Sequence, residues 1–334
     1  MLYLESNSFK GTKNKKQKTK GTLMENKKER KCLMMLILAM TVFGTVGIFS
    51  KHIPLPSGTI AFSRAFIGLV FLILTKLLMK QKINFSVIKK NLCYLIPSGI
   101  ALGANWILFF LSCKTTTVPT ATLSYYLAPT ILVLMSFVFL KEKLTAKQII
   151  SVAVSFLGMV LASGVIGTNH EGVSIIGIVY GLLAAVLYAT VVFFNKKMKD
   201  IDPIDKTIVQ FFISTIALLP YVIFAEKAYA LEFKPIYTVY ILVMGVVHTG
   251  VAYALYFNSV SGLKSTTIAI YSYIDPILSI LLSTLIFSEP INIFTVIGAV
   301  LILGASFASE VDVSKIFNKK STDNVNNDSQ NRVQ

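Results

Sequence analysis

A stretch of forty residues occurs twice in this chain, and this duplication limits the possible folds more than any other feature. Gly103 to Glu142 aligns with Gly250 to Glu289 at a constant offset of 147 positions, without a gap. Ten of the forty positions are identical, whereas shared apolar composition alone would give about three. The identical pairs are Gly103/Gly250, Leu108/Leu255, Phe110/Phe257, Ser112/Ser259, Thr120/Thr267, Tyr126/Tyr273, Pro129/Pro276, Leu134/Leu281, Ser136/Ser283 and Glu142/Glu289. We infer an internal duplication.

The composition places both copies in a membrane. Hydrophobic residues make up 54% of the chain and charged residues 14%, against roughly 25% charged residues in soluble proteins. Ten apolar stretches are each long enough to cross a bilayer as a helix of about 17 to 25 residues. The predicted fold class is therefore an all-α integral membrane protein with ten transmembrane helices. These are expected near 32–50, 57–79, 91–113, 118–140, 147–165, 174–195, 204–225, 236–258, 265–288 and 291–308.

The distribution of Lys and Arg predicts the orientation. Thirteen basic residues lie in loops on the same side as both tails, and four lie on the opposite side. Cytoplasmic loops are enriched in Lys and Arg, so both termini are predicted to be cytoplasmic, in the plasma membrane. Topology also explains the formal charge of +16, and no nucleic-acid partner is predicted. The four opposite residues are Lys51, Lys114, Lys227 and Lys234.

Five helices per copy is an odd number, so the second copy must enter the membrane from the other side. The two repeats are therefore predicted to be inverted, with Glu142 facing the cytoplasm and Glu289 facing outward. Inverted repeats are a common plan of secondary transporters, which bind substrate near the midplane. The predicted domains are a basic tail at 1–31, repeats at 32–165 and 174–308, and a polar tail at 309–334. Translation from Met24 is an alternative to Met1.

One carboxylate is predicted to lie deep in the membrane. Asp275 is ten residues into the ninth predicted helix, hence roughly 15 Å from its start. It shares a helical face with Tyr271, Ser272 and Ser279. An ionisable group at this depth is costly, which favours a cavity wall that binds substrate or a coupling proton. The alternative is a structural hydrogen bond to a neighbouring helix or to Arg64.

Two prolines occupy equivalent positions in the fourth and ninth predicted helices. Pro129 and Pro276 each remove the hydrogen bond to the carbonyl four residues earlier, at Tyr125 and Ser272. A freed carbonyl at this depth needs protein or cavity water. We interpret the pair as helix kinks that serve gating, with a static bend as the alternative.

Polar aromatic residues cluster near these prolines and predict a cavity for a small organic solute. Packing or an interfacial belt is the alternative for each of them, and an interhelical hydrogen bond is the first interpretation of His248. The predicted substrate-binding set is Asn105, Trp106, Tyr125, Tyr126, His248, Tyr253, Tyr271, Tyr273 and Asp275.

Three further groups have structural interpretations. Arg64 is expected to extend towards the membrane surface, ahead of pairing with Asp275 or attracting an anionic substrate. Glu142 and Glu289 end the repeated stretches, where water or a backbone amide can satisfy them. Gly298 and Gly304 are expected at a close helix contact.

The chain resembles the EamA-domain branch of the drug/metabolite transporter superfamily. The resemblance rests on two five-helix units that carry the spacing P-x(12)-E, Pro129 to Glu142 and Pro276 to Glu289, each followed by one more helix. It covers residues 32 to 308, and implies a plasma-membrane carrier with a cavity lined by helices one, three, four, six, eight and nine. Members move amino acids, other small metabolites or drugs, usually outward. The small residue of the family's last helix is Gly298, but Ser151 replaces it in the first copy.

We therefore predict a secondary transporter that exports amino acids or similar small metabolites and drugs by alternating access. The alternatives are an integral-membrane enzyme and a scaffold without transport activity. The enzyme is disfavoured because no HExxH motif or paired acidic motif occurs, and no cofactor or metal is predicted. ATP-driven transport is disfavoured because no GxxxxGK[ST] loop occurs. The substrate, the transport direction, proton coupling and a homodimer are left open.

The inverted arrangement predicts that the two equivalent turns face opposite sides of the membrane. Single cysteines placed at positions 142 and 289 should react with a membrane-impermeant thiol reagent from opposite sides. Labelling of both cysteines from the same side would contradict the inverted repeat.

Overall fold

The computed structural model describes residues 28–141, 143–162, 174–228, 234–260, 262–263, 265–289 and 291–310. Glu142, most of the predicted basic tail and the segment 311–334 lie outside these ranges, and so do the expectations placed on them. Every regular element among the described residues is a helix, which agrees with the predicted all-α class.

Helices occupy all ten predicted positions, and we number them α1 to α10. Eight are long and apolar enough to cross a membrane, whereas α5 and α10 contain shorter apolar stretches, Ala146–Ala162 and Ile293–Ala308. The number of crossings therefore stays a prediction. The bounds are α1 Lys28–His52, α2 Ser57–Leu78, α3 Phe85–Thr115, α4a Val118–Tyr125, α4b Ala128–Leu140, α5 Ala146–Ala162, α6 Ile175–Lys197, α7 Pro203–Ala225, α8 Pro235–Val260, α9a Ser265–Ser272, α9b Ile274–Phe287 and α10 Ile293–Glu310.

Side-chain caps fix where several helices begin. Asn84 accepts a hydrogen bond from the Val87 amide at the start of α3, which begins six residues before its predicted position. Thr117 caps α4a, Ser174 caps α6 and Asp202 caps α7 in the same way. Each cap satisfies an amide that has no partner within its own helix.

The connections between helices lie at the two ends of the bundle. We call these the Lys51 end and the Asp205 end. At the Lys51 end, Lys114 Nζ donates to the Ile53 carbonyl at 3.0 Å, and the Glu226 carboxylate accepts from the Gly58 and Thr59 amides at the start of α2. At the Asp205 end, the Asp205 carboxylate forms an ion pair with Lys76 and accepts from the Asn84 amide at 3.2 Å.

Lys76 is one of the basic residues counted for the orientation, and it forms a buried ion pair. Lys76 lies in the last turn of α2 rather than in a loop, and its side chain and that of Asp205 are buried. Paired burial satisfies both charges. Without Lys76, twelve basic residues on the side of the tails stand against four on the opposite side, so the predicted orientation is unchanged.

The fourth and ninth helices are both interrupted immediately before their prolines. α4a ends at Tyr125 and α4b begins at Ala128, before Pro129. α9a ends at Ser272 and α9b begins at Ile274, before Pro276. The missing proline donor and the steric clash of its ring explain an interruption at each site. The predicted kinks are therefore present as breaks.

A wide turn in α8 is a feature that the sequence pattern did not predict. Residues Val243–Val251 form a π-helix. Within it, Thr249 Oγ1 donates to the Met244 carbonyl at 2.9 Å, and His248 Nδ1 lies 3.2 Å from the Val243 carbonyl oxygen. Both contacts span five residues, and π segments are frequent at functional sites.

α5 and α10 pack through two glycines. A Cβ added to Gly298 would lie 2.5 Å from the Gly158 carbonyl oxygen, and one added to Gly158 would lie 2.9 Å from that of Gly298. The expected close contact at Gly298 is therefore present, and its partner on α5 is Gly158. The same expectation is wrong for Gly304, where a Cβ would meet nothing within 4 Å.

These two positions of α10 give a matched test of helix packing. Gly298→Ala should lower the free energy of unfolding by about 1 to 3 kcal/mol, because the methyl group meets fixed backbone. Gly304→Ala should leave stability unchanged or slightly higher, because the side chain has space and alanine favours helix. Thermal unfolding of the purified variants measures both effects, and equal midpoints would contradict the close contact.

Candidate functional site

A cavity of about 600 Å³ lies in the centre of the bundle. Its walls come from α1, α3, α4, α6, α8 and α9, with Arg64 added from α2. The volume falls in the range of small-molecule sites. Polar wall residues include Arg64, Asn105, Thr122, Ser272, Asp275 and Ser279, and aromatic ones include Phe43, Trp106, Phe109, Tyr125, Tyr126, Tyr188, Tyr253, Tyr256 and Tyr273.

The structure brings most of the predicted site residues together at this cavity. Seven of the nine predicted binding residues line it, and so does the proline of the first break, Pro129. His248, Tyr271 and Pro276 are not among the lining residues. The seven are Asn105, Trp106, Tyr125, Tyr126, Tyr253, Tyr273 and Asp275.

His248 is buried in a helix contact. Its Nε2 lies 2.8 Å from Thr45 Oγ1 on α1, and its ring packs against Phe49 with centroids 4.7 Å apart. This geometry matches the interhelical hydrogen bond that was the first interpretation of His248. The π-turn directs the ring to α1, away from the cavity.

Tyr271 packs against the beginning of α1. It contacts the buried cluster of Leu36, Ala39 and Met40. The expectation that Tyr271 and Asp275 share a face assumed one continuous helix, in which residues four apart are neighbours. The break at Tyr273 lies between them and removes that relation.

Asp275 faces the cavity from the first turn of α9b. Its Oδ2 accepts a hydrogen bond from the Tyr126 hydroxyl at 2.8 Å, so one break is joined to the other. α1 approaches from the opposite side, where a Cβ on Gly44 would lie 2.8 Å from the Asp275 carbonyl oxygen. Only glycine allows this approach, since any larger residue would displace the broken segment.

Arg64 is directed inward, so the expectation that it extends to the membrane surface is wrong. Its side chain is buried, its Nε donates to Thr249 Oγ1 at 2.8 Å, and its guanidinium carbon lies 4.6 Å from the Trp106 ring centre. The π-turn of α8 supplies Thr249 as acceptor, and the Trp106 ring face attracts the cation. Together they offset the burial of the charge.

Asn105 holds α3 against α6. Its Nδ2 donates to the Ala184 carbonyl at 2.7 Å, which fixes the direction of the amide. Its Oδ1 is buried and has no hydrogen-bond partner within the described residues. Asn105 itself is one of the residues that line the cavity.

Contacts between the two halves close the cavity at the Lys51 end. Thr122 Oγ1 and Ser279 Oγ lie 3.1 Å apart across α4a and α9b. Nearer the end, Lys51 forms an ion pair with Glu289 and also donates to the Thr116 carbonyl at 3.2 Å. The other oxygen of Glu289 accepts from the Val118 amide at 3.0 Å. Glu289 therefore caps α4a and joins three helices.

The cavity wall continues towards the Asp205 end. It includes Val192 near the end of α6, Val260 at the end of α8 and Ile268 in α9a. Towards the Lys51 end, no described residue beyond Gly47 and Thr122 lines the cavity.

Sequence reasoning missed the wall residues of α1 and α6 and the inward direction of Arg64. Phe43 and Tyr188 lie outside the duplicated stretch, so no second copy pointed to them. The cost of burying a charge was the only signal for Arg64, and it did not reveal the direction of the side chain.

The described residues contain no group of three or more His, Cys, Asp or Glu side chains that could hold a metal ion. The polar groups that do converge are one cation, one carboxylate, an amide and several hydroxyls. Such groups recognise a solute by charge and hydrogen bonding.

The model of the EamA-like transporter family matches residues 30–164 and, a second time, residues 175–309. The chain belongs to the EamA-like transporter family. Two of its relatives are uncharacterized transporters of Bacillus subtilis, YxxF and YyaM. YxxF is 29% identical over 280 residues, which is 84% of this chain and 89% of the relative. YyaM is 29% identical over 277 residues, 80% and 87% of the two chains.

A solved crystal structure of another protein has a similar fold. It has a TM-score of 0.58 at 17% sequence identity and covers 83% of this chain and 96% of that one. Membership in the EamA-like transporter family supports a multi-pass membrane transporter, which implies a small-molecule substrate and a lipid environment. The family consists of transporters, which are generally not enzymes.

The Lys51–Glu289 contact generates a stability prediction. Lys51→Met should lower the free energy of unfolding by about 3 kcal/mol, because it leaves the buried Glu289 carboxylate without its counter-charge. That is the low end for a buried pair, since the Lys51 side chain is 27% exposed.

The double variant Lys51→Met/Glu289→Gln should lose less stability than Lys51→Met alone, because it leaves no uncompensated charge. Chemical or thermal unfolding of the single and double variants measures the coupling. Additive losses would show that the two residues do not stabilise each other.

Proposed function

We propose that this protein is a secondary transporter of the plasma membrane that moves small polar or amphipathic metabolites, amino acids among them, by alternating access. Its ten helices form two inverted repeats, and both termini are cytoplasmic. The observation that carries the proposal is a central cavity whose walls come from both halves of the chain and which is closed at one end. The transport direction we propose is export.

The cavity walls suit a small organic solute. Aromatic rings surround a few polar groups, and the Tyr126 hydroxyl links the two broken helices through Asp275. Broken helices at the middle of a membrane are a recurring feature of substrate sites in secondary transporters. Their unpaired backbone groups are tolerated only where protein or cavity water satisfies them.

The closed end supports an inward-facing arrangement. The Lys51 end carries the ion pair and the Thr122–Ser279 contact, whereas the wall reaches Val260 and Ile268 at the other end. The excess of Lys and Arg supports a cytoplasmic position for the Asp205 end. Exchange of substrate across the membrane would then require separation of Lys51 from Glu289 and closure near Val260.

Proton coupling would have one carboxylate available to it. Asp275 is the only acidic residue among the described wall residues. A pH gradient imposed across proteoliposomes tests the coupling. Substrate accumulation that is the same with and without the gradient would exclude proton coupling.

Substitutions at the cavity give the main test. A thermal-shift screen against amino acids, nucleosides, organic acids and cationic drugs selects a probe, because a compound that binds only the folded state raises its stability. Asp275→Asn and Tyr273→Ala should abolish efflux of that probe from proteoliposomes, while helicity and membrane insertion remain as in the parent protein.

Tyr271→Ala is the matched control, because Tyr271 lies two residues from Tyr273 but packs on α1. It should retain most of the efflux. Normal efflux by both cavity variants would remove the assignment of this cavity as the transport site.

A further inference from the structure

The two charged groups of the cavity face the same space without pairing with each other. Arg64 belongs to α2 and Asp275 to α9b, and both line the cavity. The ion pairs within 4.0 Å among the described residues join Lys51 with Glu289 and Lys76 with Asp202 and Asp205, so neither cavity charge takes part in one. A buried cation and a separate carboxylate in a low-dielectric interior are each costly without a counter-charge.

The contacts of Arg64 leave part of its guanidinium free. A guanidinium has five N–H donors. One donates to Thr249 Oγ1, and a second lies towards the His248 carbonyl at an N–O distance of 3.5 Å. The described residues therefore account for two of the five donors. The Trp106 ring centre lies 4.6 Å from the guanidinium carbon, and the ring attracts the cation. A fork held in this way matches a carboxylate, which it can bind through two parallel bonds.

Acceptors line the same cavity. The Asp275 carboxylate takes one hydrogen bond from the Tyr126 hydroxyl, which leaves most of its acceptor capacity unused. The Oδ1 of Asn105 is fully buried and has no partner within the described residues. An ammonium group has three donors and no acceptor, so these oxygens match its chemistry.

We propose that Arg64 and Asp275 are the two poles of a site that selects zwitterionic substrates, binding the carboxylate at Arg64 and the ammonium group at Asp275. The substrate carboxylate then supplies the counter-charge of Arg64, and the substrate ammonium group supplies the counter-charge of Asp275. The inference rests on the proposed transport function and adds to it the residue that determines specificity for the carboxylate. The aromatic walls hold the apolar part of the substrate.

Two sets of matched compounds test the poles separately. The first set is L-leucine, 3-methylbutylamine, which lacks the carboxylate, and 4-methylpentanoate, which lacks the ammonium group. The second is L-phenylalanine, 2-phenylethylamine and 3-phenylpropanoate. Binding to the purified full-length protein is measured by thermal shift and by competition with the radiolabelled amino acid. At least one amino acid should bind about tenfold or more tightly than both of its own analogues.

Variants at the poles should then give opposite patterns. Arg64→Gln should weaken the amino acid and its carboxylate analogue by about tenfold or more, and leave the amine unchanged. Asp275→Asn should weaken the amino acid and the amine, and leave the carboxylate analogue unchanged. Arg64→Lys keeps the charge without the planar fork and should fall between Arg64→Gln and the parent. A general loss of folding cannot produce opposite patterns in two variants.

The proposal is overturned if neither L-leucine nor L-phenylalanine binds, or if Arg64→Gln weakens all three compounds of a set equally. It is also overturned if each amino acid that binds is matched in affinity by one of its own analogues. Another compound could show efflux that is lost in Asp275→Asn but unchanged in Arg64→Gln. That result would support the transport function and rule out the zwitterion site alone.

Discussion

The backbone of a membrane protein has to satisfy its own polar groups, because lipid offers no hydrogen-bond partners. This constraint accounts for the helices, and it also decides where helices can be broken. The breaks before Pro129 and Pro276 occur beside the cavity, which Tyr126 and Tyr273 line. One break contributes Tyr126 and the other Asp275, and the hydrogen bond between them joins the two halves of the duplicated chain. The interruption of the helices and the formation of the site are therefore one arrangement.

Burying a charge in the membrane is also costly. Buried charges occur at both ends of the bundle and in its centre. At the Lys51 end, Glu289 combines an ion pair with the cap of α4a, so one carboxylate serves two partners. At the Asp205 end, Asp205 pairs with Lys76 and accepts from the start of α3. In the centre, Arg64 and Asp275 line the cavity, and no ion pair within 4.0 Å joins them. Charges at the ends are neutralised within the protein, whereas the central pair faces the space where a solute would bind.

Glycines set the distances on which these contacts depend. Gly44 lets α1 approach the backbone of Asp275, and Gly68 lets α2 lie against Thr249, whose Cγ2 would be 2.5 Å from an added Cβ. The second approach places the Thr249 hydroxyl next to Arg64. Close backbone approach also joins α5 to α10 at Gly158 and Gly298. In lipid, helices associate through packing of this kind rather than through the hydrophobic effect.

The sequence by itself determined the class, the positions of the helices, the two breaks and seven of the cavity residues. It could do so because lipid imposes a length and a composition on each span, and because the duplication marked Tyr126, Pro129 and their counterparts twice. Only the tertiary structure decided the direction of Arg64, the separation of Tyr271 from the cavity and the contribution of Phe43 and Tyr188. These depend on the π-turn of α8, on the break at Tyr273 and on which helices are neighbours. Which neighbours these side chains meet is set by contacts between distant parts of the chain, which a local pattern of residues does not record.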